Sequence, residues 1–248
     1  MDRKEQRKDV AVRHTKEMDR LYADAIQKSV KETKLYDTAF SREKGTGQMA
    51  EFTLEQSFTQ DSIFRNAGNG KVAVLNFASY RHAGGGFIRG AMAQEESICH
   101  DSFLYNVIRE FTEYYELNEA HLNKGLYQNR ALYSPGISFF SKTGKSVSVD
   151  VLTCAAPNRS LMFRDGRFTE GENEEALRER ICFIRDICDA EGVETFIAGA
   201  FGCGVFAQKP DVVATLFREY FSDTGVKKVI LAVPADKNYP AFEKEFGK

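Results

Sequence analysis

Paired cysteines are missing from this sequence, and so are the structures that depend on them. The five cysteines are odd in number and contain no Cys-x-x-Cys pair. Neither a disulfide framework nor a zinc knuckle is therefore expected. The chain also lacks internal repeats and low-complexity tracts, so its length of 248 residues is ample for one globular domain with a real core.

Long apolar runs and a strong net charge are missing as well. No stretch approaches the roughly 18 apolar residues that cross a bilayer, and the charged N-terminus lacks the core of a signal peptide. The net charge is -2 and the pI about 6.2, so no overall field attracts the protein to a polyanion. We therefore expect a cytoplasmic protein with no membrane partner and no direct sequence-specific binding to nucleic acid.

Short apolar segments alternate with helical patterns along most of the chain, which is typical of an α/β fold. The strand candidates are nearly continuous in apolar character, as interior strands covered on both faces are. They are Val72–Phe77, Val147–Cys154, Thr195–Gly199 and Val229–Val233. Helices are predicted over 174–190 and after Pro210, with turns and a hairpin between 132 and 149. The pattern predicts a mixed, mostly parallel sheet with helices on both faces.

A polar segment precedes this pattern. Its apolar residues recur at helical spacing and predict a helix that packs on the main domain. They are Met18, Leu21, Tyr22, Ala25, Ile26 and Val30. Basic and acidic residues are interspersed there, which favours a solvated face over a surface for polyanions. Gly45 and Gly47 mark a loop, so residues 1–45 are interpreted as an N-terminal helical extension and 46–248 as the main domain.

Unusual residues follow the first predicted strand, at the sheet edge where open α/β sheets bind ligands. Gly84-Gly85-Gly86 is costly in chain entropy, which suggests either a backbone that approaches an anion closely or a flexible surface loop. Gln94-Glu95-Glu96 then precedes a helical pattern over 97–110. Taken alone, this acidic pair is more simply a device that compensates a helix dipole.

Two later segments follow predicted strands in the same way. The run Gly202-Cys203-Gly204-Val205-Phe206 is a glycine-rich strand-to-helix turn of the kind that cradles phosphate, although it matches neither a Walker A loop nor a dinucleotide fingerprint. Phe206 could offer its ring to a base or ribose, or could be a core aromatic. Cys203 has no histidine nearby in sequence and is interpreted as a packing residue. Ala156-Pro157-Asn158 fits a turn, with or without a ligand contact.

Together these segments resemble the microbial-type poly(ADP-ribose) glycohydrolases, a branch of the macrodomain superfamily. The family signature is a triple glycine, a spacer and Gln-Glu-Glu, which stands here as Gly84–Gly86, residues 87–93 and Gln94–Glu96. The stretches GAFGCGVF at 199–206, LTCAAPN at 152–158 and NFAS at 76–79 match in order and spacing. The resemblance covers about residues 4–240.

The resemblance implies a macrodomain fold and a catalytic domain at 46–248. It also implies that ADP-ribose binds between the two glycine loops and that the ribose–ribose bond of poly(ADP-ribose) is hydrolysed to ADP-ribose. Glu96 is implied as the catalytic carboxylate, with Glu95 beside it. The implied substrate-binding residues are Asn76, Ser79, Gly84, Gly85, Gly86, Gln94, Asn158, Gly202, Cys203, Gly204, Val205 and Phe206. Ser79 departs from the asparagine that related enzymes often carry.

One carboxylate is expected to perform both proton transfers. Glu95 and Glu96 diverge by roughly 100° on a helix, so they cannot easily straddle one anomeric carbon. We therefore assign Glu96 as acid to the leaving ribose and then as base to water, with no metal and no cofactor. The expected partner is poly(ADP-ribose) or an ADP-ribosylated macromolecule. Two alternatives stay open: a non-catalytic ADP-ribose reader, and a hydrolase of mono-ADP-ribosylated protein or nucleic acid.

Overall fold

The computed structural model describes residues 2–40 and 47–247. In these residues the helices are Arg3–Leu21 (α1), Ala23–Glu32 (α2), Thr59–Asn66 (α3), Gln94–His100 (α4), Leu104–Ile108 (α5), Thr112–Ala120 (α6), Ser160–Asp165 (α7), Glu170–Ala190 (α8), Pro210–Tyr220 (α9) and Tyr239–Phe246 (α10). The strands are Lys34–Tyr36 (β1), Glu51–Glu55 (β2), Val72–Phe77 (β3), Ala131–Phe140 (β4), Ser146–Cys154 (β5), Thr195–Ala198 (β6) and Lys228–Ala232 (β7).

The seven strands form one sheet in the order β1-β4-β5-β3-β6-β7-β2. The pairings β5-β3, β3-β6, β6-β7 and β7-β2 are parallel, whereas β1-β4 and β4-β5 are antiparallel. The predicted α/β fold with a mixed, mostly parallel sheet is therefore confirmed. The four predicted interior strands match β3, β5, β6 and β7 within one residue at each end.

Helices cover both faces of the sheet, which explains why β3 is apolar at successive positions. Ala73 and Leu75 point into one core, which also contains buried residues of α8, α9 and α10. Val72 and Val74 point into the other core, which contains buried residues of the helices from α1 to α6. Successive side chains of a strand alternate between faces, so a strand with two covered faces needs apolar residues throughout.

The N-terminal segment is helical, but it forms two helices rather than one continuous stripe. The helical conformation is interrupted at Tyr22, which separates α1 from α2. The buried residues of α1 are Ala11, Thr15 and Met18, whereas Leu21 is 49% exposed, so the expected contribution of Leu21 to the packed stripe is wrong. The break rotates the face that follows it, and a single helical period cannot anticipate that rotation.

The proposed boundary between residues 45 and 46, and Gly45 itself, lie outside the described residues. The division into an extension and a main domain stays a prediction. Within the described part, the first 40 residues contribute a strand as well as helices, because Lys34–Tyr36 pairs with Ala131–Tyr133 at the edge of the sheet. The described N-terminal segment therefore belongs to the same sheet as the residues that follow it.

Two expected turns differ in kind. Thr143-Gly144 lies in the turn of the β4-β5 hairpin, where Gly144 has φ +82°. Pro135-Gly136, in contrast, interrupts the pairing register inside β4, between Ser134 and Ile137, and does not end the strand. A bulge accommodates a proline because the bulged residue is not paired with the neighbouring strand, so the missing N–H of proline removes no hydrogen bond between strands.

The helix that follows the first glycine loop starts earlier and is shorter than expected. The pattern over 97–110 predicts one helix, but α4 begins at Gln94 and ends at His100, and α5 follows separately. Gln94, Glu95 and Glu96 are therefore the first turn of α4 and not its preceding loop. Similarly, α8 begins at Glu170 because Thr169 and Glu172 form a capping box.

No helix of residues 2–40 or 47–247 is both long enough and apolar enough to traverse a membrane.

Candidate active site

A cleft of about 620 Å³ opens at the carboxyl ends of β3, β6 and β7. The loop after β3, here called the first loop, spans 78–93 and leads into α4. The loop after β6, here called the second loop, spans 199–209 and leads into α9. Parallel neighbours bring both loops to one edge of the sheet. The predicted site residues that line the cleft are Ser79, Gly85, Gly86, Gln94, Glu95, Glu96, Gly202, Gly204, Val205 and Phe206.

Four predicted site residues do not line this cleft: Asn76, Gly84, Asn158 and Cys203. Asn76 is fully buried beneath the cleft, and Gly84 packs against Tyr105. Asn158 bonds its own turn, since its Oδ1 accepts a hydrogen bond from Ser160 at 2.5 Å. These residues shape the site from behind, and their direct contact with a ligand stays a prediction.

Glu95 is the more deeply buried carboxyl group of the pair, with 3% of its surface exposed. It accepts hydrogen bonds from the Ser79 N–H at 2.7 Å and from Asn76 Nδ2 at 3.1 Å. Burial raises the pKa of Glu95 to about 8, helped by the nearby Glu96 charge and opposed by the two hydrogen bonds. Burial therefore favours the protonated form of Glu95.

Glu96 lies on the cleft wall and is held by the first loop. Its Oε1 accepts a hydrogen bond from the Gly86 N–H at 2.8 Å. A Cβ added to Gly85 would lie 2.7 Å from Glu96 Oε1 and 2.9 Å from Glu95 Oε2, and Gly85 has φ +59°. Only glycine fits there without displacing a carboxyl group, because the backbone is both left-handed and in close approach.

Gln94 is clamped to the end of β3. Its Oε1 accepts from the Phe77 N–H at 2.9 Å, and its Nε2 donates to the Leu75 carbonyl at 2.9 Å. The side chain thus satisfies two backbone groups at the exposed end of a strand, as another strand would. This contact fixes the start of α4, and hence both glutamates, relative to the sheet.

The second loop has the opposite arrangement. Within the described residues, no hydrogen-bond acceptor is assigned to the backbone N–H of Gly204, Val205 or Phe206. Val205 is 80% exposed, and a Cβ on Gly204 would have no heavy atom within 4 Å. Successive unpaired N–H groups at a cleft are suited to anion binding. The base of the loop is fixed by Gln208, whose Nε2 donates to the Pro157 carbonyl and to Asn173 Oδ1, each at 2.8 Å.

Cys203 lies inside the second loop and faces the core. It is 4% exposed, and burial raises the pKa of its thiol to about 12. A neutral, buried thiol packs and does not attack a substrate, which supports its interpretation as a packing residue. Among residues 2–40 and 47–247, no cluster of three or more His, Cys, Asp or Glu side chains is arranged to hold a metal ion.

Several cleft residues were not anticipated from the sequence. Arg89 lies in the spacer of the signature and lines the cleft beside Gly85. The remaining wall is largely apolar and includes Phe58, Phe77, Met92 and Pro234. The side chains of Phe58 and Met92 are 64% and 55% exposed, as are several other large apolar side chains of the described residues. Their positions after different strands carry no shared sequence signal.

Comparisons with known proteins agree with this geometry. A solved structure of poly(ADP-ribose) glycohydrolase from Thermomonospora curvata is similar with a TM-score of 0.86 and 27% identity, over 98% of this chain and 100% of that one. A structure from the same organism bound to the inhibitor ADP-HPD gives a TM-score of 0.87 and 28% identity over the same shares. The glycohydrolase of Deinococcus radiodurans in complex with ADP-ribose gives 0.81 and 27%, over 89% of this chain and 96% of that one.

No curated protein sequence matches the chain. The sequence family described as "Microbial-type PARG, catalytic domain" matches residues 7–142, which include the whole first loop and both glutamates of α4. That match extends over more than half of the chain, and the similar structures extend over nearly all of it. The chain therefore belongs to the microbial-type poly(ADP-ribose) glycohydrolases and is an ADP-ribose-binding glycosyl hydrolase.

Proposed function

We propose that Glu96 is the acid/base with which this enzyme hydrolyses the ribose–ribose bond of poly(ADP-ribose). The observation that carries the proposal is the position of Glu96 in the cleft. Its carboxylate is fixed by the Gly86 N–H, and the same cleft is lined by the unpaired N–H groups of the second loop. One wall thus supplies a positioned carboxylate and the other supplies donors for an anion.

Binding is assigned to the second loop. The N–H groups of Gly204, Val205 and Phe206 donate to the oxygens of a diphosphate, and the Phe206 ring packs on the adjoining ribose. Because burial favours the protonated form of Glu95, this side chain need not add a negative charge beside an anionic ligand. Protonated Glu95 can also donate a hydrogen bond to a ribose hydroxyl.

Bond cleavage follows the chemistry of a single carboxyl group. Glu96 gives its proton to the departing ribose oxygen as the bond between that oxygen and the anomeric carbon breaks. The carboxylate that forms then takes a proton from water, whose oxygen bonds to the anomeric carbon. The products are ADP-ribose and a polymer shortened by one unit, and Glu96 ends with the proton that it lost.

The test is Glu96→Gln, with Glu175→Gln on the exposed side of α8 as the matched control. We expect release of ADP-ribose from the polymer to fall by roughly 10²–10⁴ in Glu96→Gln, the range that general acid–base catalysis supplies. ADP-ribose affinity by calorimetry should stay within a few-fold of wild type. A Glu96→Gln enzyme that keeps most of its turnover would remove Glu96 from this role.

We propose two finer assignments with this function. The mixed sheet, with ligand loops at its carboxyl edge, supports placing the fold among the macrodomains. The thiols of Cys99, Cys154 and Cys188 are packed in the two cores, which supports a cytoplasmic location, where thiols stay reduced. Fractionation of cells that produce the protein tests the second assignment.

A further inference from the structure

Arg89 is a cation at the mouth of the cleft for which the reaction described above has no use. It ends the short 3-10 turn Phe87–Arg89 of the first loop, and its side chain is exposed. Its Nη2 donates to the Gly85 carbonyl at 3.1 Å. Gly85 in turn is in close approach to the carboxyl group of Glu96. In space, therefore, a single residue, Gly85, lies between the guanidinium of Arg89 and the carboxyl group of Glu96.

The pairing of Arg89 differs from that of neighbouring arginines. Arg81 forms an ion pair with Glu119, and Arg109 forms one with Asp19 at 2.9 Å. Within residues 2–40 and 47–247, no carboxylate pairs with Arg89. A guanidinium has five N–H donors in a planar fork that suits phosphate oxygens. Among the described residues, Arg89 uses one of these donors, in its bond to the Gly85 carbonyl.

Another basic side chain lies near Arg89. The pKa of His82, on the same loop, is lowered mainly by partial burial and then by the charges of Arg89 and Arg81. These smaller effects show that the charge of Arg89 acts on its neighbours. An anion at this place would be attracted by that charge.

The substrate supplies such an anion on the correct side of the bond. In poly(ADP-ribose) the leaving group is not a simple alcohol but another ADP-ribose unit, which has its own diphosphate. Arg89, Glu96 and the second loop line one cleft. With one unit bound along the second loop, we place the departing unit beyond Glu96, on the side of Arg89. We propose that Arg89 binds the diphosphate of the leaving ADP-ribose unit and so favours polymer over substrates whose leaving group is uncharged. This inference rests on the proposed function.

The experiment compares two substrates with Arg89→Gln, Arg89→Lys and the wild-type enzyme. One substrate is poly(ADP-ribose), and the other is ADP-ribose linked at the same anomeric carbon to a neutral p-nitrophenyl group. For Arg89→Gln we expect the polymer-to-nitrophenyl ratio of kcat/KM to fall about tenfold, as for the loss of a charge-assisted hydrogen bond at an exposed site. Arg89→Lys should restore part of the ratio because it keeps the charge.

Ionic strength provides a readout that a purely structural role would not change. The kcat/KM of wild type on polymer should fall with added salt more steeply than that of Arg89→Gln, because screening weakens an additional charge contact that the variant lacks. Arg178→Gln, which removes an arginine on α8 that pairs with Glu219, is the matched control. It should keep both the ratio and the salt dependence.

Two failures are distinguishable. If wild type releases no ADP-ribose from polymer, the proposed function fails and the inference fails with it. If wild type is active but Arg89→Gln loses activity equally on both substrates, or loses none, then Arg89 only supports the loop or does nothing, and this inference alone is overturned. Thermal unfolding of each variant shows whether the first loop has merely become unstable.

Discussion

The two glycine-rich loops have similar compositions but use their backbones in opposite ways. In the first loop the N–H of Gly86 donates to the carboxyl group of Glu96, and the N–H of Gly85 donates to the His82 carbonyl. In the second loop the N–H groups of Gly204, Val205 and Phe206 have no assigned acceptor within the described residues. The backbone of the first loop is therefore bonded within the protein and to Glu96, while that of the second loop is left open.

The glycines differ for the same reason. Gly85 is needed because of its positive φ and the carboxyl groups against it, whereas Gly204 is surrounded by open space. A run of glycine in a sequence does not distinguish these cases. The sequence suggests a backbone that approaches an anion in both loops, with a flexible surface loop as the alternative for the first. In the structure the first loop lies against the protein's own glutamates.

The sharpest test of this difference is Gly85→Ala. Alanine at this position must keep a left-handed backbone, and its Cβ must displace Glu96 Oε1 or Glu95 Oε2. We therefore expect turnover to fall by about 100-fold and the free energy of unfolding to fall by about 1–3 kcal/mol. Turnover on polymer and thermal unfolding measure the two effects. Normal turnover would show that the first loop does not position the carboxyl groups.

Glu95→Gln tests the burial of the deeper carboxyl group in the first turn of α4. The pKa of Glu95 is about 8 in the folded chain, above its ordinary value of 4.5, so the folded state holds a proton that the unfolded state releases. The stability that comes from the raised pKa of Glu95 is fully present below about pH 4.5 and is lost as the pH rises through about 8. Glutamine does not ionise and escapes that loss.

We therefore expect Glu95→Gln to be more stable than wild type at alkaline pH, by roughly 2 kcal/mol after the changed hydrogen bonds are allowed for. The advantage should disappear near pH 4.5, where both forms of the site are neutral. Within the described residues Asn76 Oδ1 has no hydrogen-bond partner. A rotation of the Asn76 side-chain amide by about 180° would let Oδ1 accept a hydrogen bond from the glutamine amide. Denaturant unfolding at both pH values measures the effect, and a difference independent of pH would contradict it.

Gly204→Ala is the counterpart of Gly85→Ala in the second loop and should have the smallest effect on the protein alone. Because no atom lies within 4 Å of the added Cβ, we expect stability within about 0.5 kcal/mol of wild type. ADP-ribose affinity should weaken by about tenfold, since a methyl group obstructs the close approach of a diphosphate to the backbone. Calorimetry tests the second loop directly, and unchanged affinity would show that the diphosphate does not bind there.

The parts of the fold that the sequence predicted are those with an unbroken local signal. The strand Val72–Phe77 is apolar at nearly every position, and α9 begins with a proline that suits a first helical turn. The strands Lys34–Tyr36 and Glu51–Glu55 were missed because they lie at the two edges of the sheet, where half-exposed residues show no such run. Their identity as strands depends on partners far away in sequence.

The site was predicted in a similar way. Glycine runs and a Gln-Glu-Glu triplet mark the cleft, and ten of the residues implied for it line it. Sequence could not show that Asn76 would lie under Glu95, because that contact depends on which face of β3 the side chain takes and on where α4 crosses it. Nor could the sequence show that Arg89 lies in the cleft, because that position follows from the fold of the loop and its hydrogen bond to Gly85.

The contact between α1 and the first loop has a consequence for how the enzyme acquires activity. Arg7 Nε donates to the Gly90 carbonyl at 2.8 Å across 83 positions of the chain, and Gly90 has no room for a side chain against the Lys4 backbone. A contact between such distant segments closes a long loop, which costs chain entropy and slows its formation. Helix α1 therefore braces the first loop only once the chain has closed over this span, so a fragment that contains the signature without α1 lacks that brace.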